Sequence, residues 1–396
     1  MSIDKIISDI SSFVWGYPLL LILIGGGLYL LIISRFIPFK YFFHAIDIIR
    51  GKFDDKKSDG EISHFQALTT ALSATVGMGN IAGVAVAISI GGPGAIFWMW
   101  ISGLIGMSTK FFTSALAVMY RGVDSAGNKQ GGPMYFIVNG LGKKWLPMAI
   151  FFSFCGMIGA LPVFNVNQLT QAINDIILRP NGVEVGLFSN SIIGLLLIIL
   201  TSIVILGGLR RISRVSAKLV PFMVGIYIIS VLIILIINYD KLPQYLFLIF
   251  YDAFNADYYS GNSALGGIVG ALIILGIRRG AFSNEAGIGM APMAHGAAKT
   301  NNPVKEGLVA MLGPFIDTLL VCTMTALAIL VTEAWKSQAD GVTLTANAFE
   351  STFSVLGNYI LLACVFVFSI SSLFSYSYYG TKCLSFLAGD NNKKKI

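Results

Sequence analysis

The sequence predicts an all-α polytopic membrane protein. Three observations carry that prediction: an apolar composition, a succession of runs long enough to cross a bilayer, and a lopsided distribution of Lys and Arg. Of the 396 residues, 55% are hydrophobic and 12% are charged, and the mean hydropathy is +0.77. A soluble domain carries about 25% charged residues, and one of this length has too little polar surface to hide so many apolar side chains. Lipid can solvate them. The 43 glycines suit helices that approach one another closely in a bilayer.

A membrane-spanning helix needs about 20 apolar residues. Nine runs are read as spans, at roughly 14–34, 66–90, 94–120, 146–177, 190–207, 219–238, 263–277, 306–332 and 355–379. The region 263–298 is ambiguous, because Arg278, Arg279 and Glu285 cannot all lie in lipid. Positive charge concentrates on the cytoplasmic side of a membrane protein. Nine spans place almost all of the 27 Lys and Arg on one side, including Lys56, Lys57 and Lys393–Lys395. Lys5, Arg179, Lys241 and Lys336 fall on the other side, and Lys110 lies within a span, where snorkelling to the interface is expected. The expected topology is a plasma-membrane protein with its N-terminus outside and its C-terminus in the cytoplasm. The acidic stretches Asp240–Asp257 and Glu333–Glu350 become outer loops.

Several function classes are disfavoured. The net charge of +7 resides in short loops rather than on one soluble face, so nucleic acid is not an expected partner. Cys155, Cys322, Cys364 and Cys383 lack metal-ligand spacing, and His44, His64 and His295 are scattered. The segment before the first apolar run carries Asp4, Lys5 and Asp9, and no small-residue cleavage site follows that run, so it does not read as a signal peptide. No Lys follows Gly77–Asn80 as a phosphate-binding loop requires. No nucleophile–base set appears, so an enzyme is not expected. A channel would want a repeated filter segment, and none is seen.

The polar interruptions of the spans carry the functional signal. In Ser73-Ala-Thr-Val-Gly-Met-Gly-Asn80-Ile-Ala-Gly83, glycines near the middle of a span permit an unwound turn. Unwinding bares carbonyls that can bind a cation and amides that can bind a carboxylate. Thr75 and Asn80 add side-chain oxygens. A small-residue packing seam is the competing explanation. Asn165, Asn167 and Gln168 put three amides within four residues of a span, which is costly unless they line a polar pathway or clamp two helices. Ser369, Ser371, Ser372, Ser375 and Ser377 can complete a small-cation shell or bond back to their own helix. Asp317 is an intramembrane acid, either coupling or structural. Arg278, Arg279, Ser283, Asn284 and Glu285 suit an inner gate held by ion pairs, with Arg210, Arg211 or Arg214 as partners, or else an ordinary basic anchor.

These residues resemble a known family. Thr69-Thr-Ala-Leu-Ser-Ala-Thr-Val-Gly-Met-Gly-Asn-Ile-Ala-Gly83 is similar to the signature of the alanine or glycine:cation symporters, also called sodium:alanine symporters. Gly131-Gly-Pro-Met-Tyr135, Gly208-Leu-Arg-Arg-Ile212, Arg278-Arg-Gly-Ala-Phe-Ser-Asn-Glu-Ala-Gly287, Pro303-Val-Lys-Glu-Gly-Leu308, Phe315-Ile-Asp-Thr318 and Tyr378-Tyr-Gly380 follow in order. The resemblance implies a LeuT-like fold of inverted five-helix repeats. Residues 1–62 would form an extra N-terminal helix and loop, 63–240 the first repeat, and 241–396 an incomplete second repeat of three helices. It implies sodium-coupled uptake of a small neutral amino acid, alanine or glycine, by a monomer in the bilayer, with sodium as coupling ion and no organic cofactor. By that resemblance Met78 and Gly79 offer amides to the substrate carboxylate, and Thr75, Gly77, Asn165 and Gln168 complete the pocket. Ser73 and Val76 carbonyls with Ser371 and Ser372 hold one sodium, and Thr75 and Asn80 lie where a second ion can sit. The chain departs from the family in having Tyr376 where Trp is common. It also departs in stopping after Tyr378-Tyr-Gly380 where the family continues, so an inactive truncated paralogue or a fragment is the alternative expectation.

Overall fold

The computed structural model describes residues 3–53, 58–123, 129–261 and 267–389. Lys56, Lys57 and Lys393–Lys395, which the charge count placed on the basic side, lie outside the described residues. Seven helices are long and apolar enough to cross a bilayer alone: α1 (Ser8–Ile33), α4 (Gly94–Met119), α5 (Lys143–Leu178), α6 (Leu187–Ile205), α7 (Gly208–Ile237), α11 (Pro303–Val331) and α13 (Val355–Ala388). The pair α2 (His64–Thr75) and α3 (Met78–Gly91), bent by 41°, makes an eighth candidate. The remaining expected run, 263–277, forms α9 (Gly267–Asn284). It ends in polar residues and falls short of a lone span by composition. The chain is a helical, polytopic membrane protein. Its described strands are a small hairpin pairing Gly122–Val123 with Lys129–Gln130.

Lipid-facing and packed surfaces separate as the composition demands. Leu195, Ile198, Leu206, Phe222 and Ile236 are exposed large apolar side chains on α6, α7 and the turn between them, a pattern that lipid accommodates and water does not. The centre is α4, against which α9 and α11 pack. Small residues bring α4 and α9 together. A Cβ on Gly276 would lie 2.6 Å from the Ala95 carbonyl, and one on Gly280 would lie 2.8 Å from Ser102 Cβ. Glycine at these positions lets the two backbones touch.

The two stretches expected as outer loops are instead helical. In α8 (Leu242–Asn255), Tyr245, Ile249, Asp252 and Ala253 are buried, a stripe at helical spacing. Asp252 accepts from the amide of Gly94 at 2.7 Å and from that of Tyr258 at 3.2 Å. It thereby satisfies an orphan donor at the N-terminus of α4, where negative charge is favoured. In α12 (Gly341–Phe353), Leu344, Thr345, Ala348 and Phe349 are buried, and the helix packs on α3 and α13. Tyr227 stacks on Phe349 with ring centres 6.0 Å apart and bonds Thr325 at 2.7 Å. Acidic flanks hid these amphipathic segments in the sequence.

Two further corrections concern isolated polar residues. Lys110 does not snorkel: it is 2% exposed, with its Nζ 3.4 Å from where a Gly313 Cβ would sit. The scattered histidines do not all stay apart. Nδ1 of His64 and Nδ1 of His295 donate to opposite oxygens of Glu306, at 2.5 and 2.6 Å. All three groups are buried, and they tie α2, the short α10 (Ala291–His295) and α11 together.

Candidate substrate and ion site

The break between α2 and α3 follows from local chemistry. Ser63 opens α2 with a capping box: its hydroxyl accepts from the Gln66 amide at 3.2 Å, and the Gln66 side chain accepts from the Ser63 amide at 3.0 Å. The helix stops where Val76 turns extended (φ −75°, ψ 94°) and Gly77 adopts φ −161°, ψ −144°. Asn80 restarts it, its side-chain oxygen accepting from the Gly77 amide at 2.7 Å. The amide of Met78 points to Asn165 Oδ1 at 3.4 Å, so the first amides of α3 face α5. A helix leaves carbonyls unsatisfied at its end and amides unsatisfied at its start, and this interruption places both inside the protein.

Opposite the break, α13 presents its serines. Ser73 Oγ donates to the Ser371 carbonyl at 2.6 Å, Ser371 Oγ lies 3.5 Å from the Ser73 carbonyl, and Ser372 Oγ lies 3.4 Å from the Ala74 carbonyl. Both hydroxyls also donate to the Phe368 carbonyl. Gly77 leaves room here, because a Cβ would stand 2.7 Å from Ser372 Oγ, which would have to shift. Ser73, Ser371 and Ser372 are fully buried. Ser369 and Ser375 join the same face, reaching the Asn165 and Thr70 carbonyls.

A cavity of about 100 Å³ opens beside the break, lined by Thr75, Gly79, Asn165, Phe282, Ser283 and Tyr376 among others. Thr75 Oγ1 is buried without a hydrogen-bond partner among the described residues. Gln168 lies away from the cavity lining. Its NH2 group donates to Asn167 and Gln171, and its oxygen accepts from the Val342 amide at 3.4 Å, which joins α5 to the start of α12. Asn80 lies behind the cavity. Its NH2 group donates to Asp317 Oδ2 at 2.8 Å and to Ser283 Oγ at 3.1 Å. Asp317 also accepts from Ser283 at 2.9 Å and Thr318 at 2.8 Å, while Asn284 donates to Thr318 at 3.1 Å.

The expected ion-paired gate is not formed. Among the described residues no ion pair joins Arg278, Arg279 or Glu285 to a partner, and Arg210, Arg211 and Arg214 do not reach them. Arg278 lies over the Trp15 ring, 5.5 Å from its centre. Ser283 and Asn284 belong to the Asp317 network, and Glu285 accepts from the Tyr376 hydroxyl. The cause is burial. Ser283 and Asn284 at the end of α9, and Glu285 just after it, are buried, while Arg278 and Arg279 are half-buried. The cavity walls contributed by Phe164 and Phe282, packed edge to face at 5.4 Å, carried no signal in a sequence with 28 Phe.

The chain matches the sequence model of the sodium:alanine symporter family over residues 1–396. It is 40% identical over 395 residues to the sodium/alanine symporter AgcS of Methanococcus maripaludis, covering 98% of this chain and 84% of that one. It is 36% identical to the putative sodium/proton-dependent alanine carrier protein YrbD of Bacillus subtilis, covering 98% and 80% of the two chains. It is 34% identical to the probable sodium/glutamine symporter GlnT of the same organism, covering 100% and 79%. The chain therefore belongs to the sodium:alanine symporter family, as a multi-pass amino-acid symporter driven by a cation rather than an enzyme.

Proposed function

We propose that the chain carries alanine or glycine into the cytoplasm together with sodium, acting as a monomer by LeuT-like alternating access. The observation that carries this reading is the small cavity at the helix break, lined by Thr75, Gly79 and Asn165. Half-helix ends aimed at a membrane midplane suit the opposite charges of an amino acid and its coupling ion. At about 100 Å³ the cavity is well below the ~300–1,000 Å³ of drug-sized pockets. A side chain the size of a methyl group suits it better than that of glutamine, the solute named for one relative. The Met78 and Gly79 amides would bind the carboxylate, with Thr75 and Asn165 bonding the rest of the solute. Gly77 would leave room for the close approach, and Gln168 would hold α12 over the site from behind.

Sodium would sit between Ser371 and Ser372 and the carbonyls ending α2, from Ser73 to Val76. That donor set is all hard oxygen, as a small hard cation prefers. A second ion at Thr75 and Asn80 is less well supported, because the Asn80 oxygen already accepts from Gly77. The proposed repeats are 63–240 and 241–396, after an N-terminal unit 1–62. The N-terminus would lie outside and the C-terminus in the cytoplasm. Support for the repeats comes from a second interruption: α9 ends at Asn284 and α10 begins at Ala291, so each half carries one broken helix near the cavity.

The test is uptake of labelled alanine into proteoliposomes with and without an inward sodium gradient. Gradient-dependent uptake, competed by glycine far better than by glutamine, is expected. Uptake indifferent to sodium and responsive to a proton gradient would replace the coupling ion, and preferential competition by glutamine would overturn the substrate.

A further inference from the structure

A second and larger chamber adjoins the cavity at the break. It measures about 280 Å³ and is lined by Trp15, Phe152, Phe282, Glu285, Met290 and Tyr376 among others. The two share Gly159, Phe282 and Tyr376 as walls, so one aromatic partition separates them. Along α5 the chambers follow in order. The larger touches Phe152–Gly159, nearer the basic turn Lys143–Lys144, and the smaller touches Gly159–Asn165. Each chamber also adjoins a different helix interruption.

Glu285 is the anomaly in this chamber. It is 5% exposed and lines the space. One oxygen accepts from Tyr376, whereas Oε2 is buried with no hydrogen-bond partner among the described residues. It lies within ion-pair range of no cation among them, and Lys110 acts on it only through space. Its backbone is left-handed at φ +53°, and Gly287 and Gly289 follow at +91° and +93°. A non-glycine residue in that region is strained, and the turn that holds Glu285 places it in the chamber wall. A buried carboxylate with a bare oxygen is unfavourable unless something fills the gap. The remaining walls decide what fits. They offer few oxygens for a bare metal ion but the rings of Phe152, Phe282 and Tyr376, besides Trp15, which already carries Arg278, and aromatic faces with one carboxylate are what an alkylammonium group binds.

We propose that the larger chamber is a second binding site, which takes the ammonium group of the amino acid on Glu285 once the solute has passed the Phe282–Tyr376 partition. This rests on the transport reading for its biological use, but not for its test. Ethylammonium chloride is an amine without a carboxylate, so it lacks what the helix-break amides would bind and retains what Glu285 would bind. Its equilibrium binding to the purified full chain is measured by calorimetry, with no transport assay involved. The wild type is expected to bind it. Glu285→Gln is expected to weaken that binding about tenfold or more, as loss of a charge-assisted bond does, whereas Asn165→Ala leaves it unchanged. Alanine binding should show the reverse emphasis, with the larger loss in Asn165→Ala. No binding by the wild type, or equal binding by Glu285→Gln, overturns the proposal. So does a Glu285→Gln variant that loses sodium binding instead, which would make the chamber an ion site. If Glu285→Gln aggregates, Phe152→Leu decides: thinning one aromatic wall should weaken ethylammonium about threefold, and unchanged affinity overturns the proposal. Ethylammonium binding that depends on Glu285 in a chain that fails to transport alanine would keep the site and reject the transport reading.

Discussion

Asp317 and Glu285 are both buried acids within the helical bundle, and their surroundings differ in one respect. Asp317 accepts from Asn80, Ser283 and Thr318, so each oxygen is engaged. Glu285 accepts from Tyr376 with one oxygen and leaves the other bare beside a chamber. The first stands where three helices are stitched together behind the break, and the second stands where α9 gives out. Burial alone therefore does not mark a functional acid. The donors around it do, because a saturated carboxylate has no capacity left for a solute or an ion.

The sharpest way to break that contrast is to remove Asp317. Asp317→Ala would strand the donors of Asn80, Ser283 and Thr318 in a dry interior, at a cost of roughly 3–5 kcal/mol. The chain should lose abundance and melt early in detergent before any transport parameter can be compared. Asp317→Asn keeps the shape and one acceptor and should be milder. A folded Asp317→Asn variant that takes up alanine without responding to the cation gradient would make Asp317 a coupling residue and abolish the distinction.

On the cavity side the order of effects should reverse. Asn165 holds the Met78 amide at a long 3.4 Å and lines the cavity, so little folding energy rests on it. Asn165→Ala is expected to weaken alanine about tenfold, near the ~1.5 kcal/mol of a hydrogen bond to a charged group, with abundance and melting close to wild type. A parallel fall in abundance would show an interhelical clamp, the explanation the sequence left open.

The proposed ion seat lies between these extremes. Ser372→Ala deletes one hydroxyl that already bonds back to Phe368 at 3.0 Å, so stability should hardly move. Gly77→Ala pushes a methyl group to within 2.7 Å of that same hydroxyl. Both should raise the sodium concentration for half-maximal uptake several-fold, roughly as loss of one oxygen contact would, and the alanine concentration less so. Unchanged sodium dependence in both would move the ion elsewhere, with Thr75 the next residue to vary.

How much of this was legible in the sequence depended on whether the signal was local. The broken helix was legible because its cause, Gly77, Gly79 and Asn80, sits within a few residues. The serine face of α13 was legible as a cluster, although its partner carbonyls on α2, about 300 residues away in the chain, were supplied only by the family resemblance. The gate was read from two cations and an acid close in sequence, with Arg210, Arg211 or Arg214 as partners, and no sequence window shows that Arg278 lies over Trp15 while Glu285 lines the larger chamber. Helices α8 and α12 were missed because their acids suggested water, although Asp252 is buried as a cap for α4. The Asp317 network was invisible for the same reason that it is strong. Its donors come from three separate helices, and no sequence window contains them.

Glu333 completes the series as an acid left in water. It follows α11, with its side chain 42% exposed, and accepts from Lys336 at 3.0 Å and from Tyr245 at 2.9 Å. The hydrogen bond from Lys336, with that from Tyr245, holds its carboxyl below the usual range. A group whose pKa is depressed on folding adds stability above its unfolded value and loses that contribution as the pH falls through its folded one. Solvent screens such a pair, and exposed pairs contribute little. Glu333→Gln should therefore leave the melting temperature nearly unchanged at neutral pH, and the remaining gap should close as both proteins are taken into the acid range. The left-handed backbone at φ +61° adds a second comparison, because glycine adopts that conformation at less cost than glutamate or glutamine. Glu333→Gly should melt at or above Glu333→Gln. A large loss in either variant would mean that the C-terminal end of α11 depends on this carboxylate as the buried network depends on Asp317, and exposure would no longer distinguish the two acids.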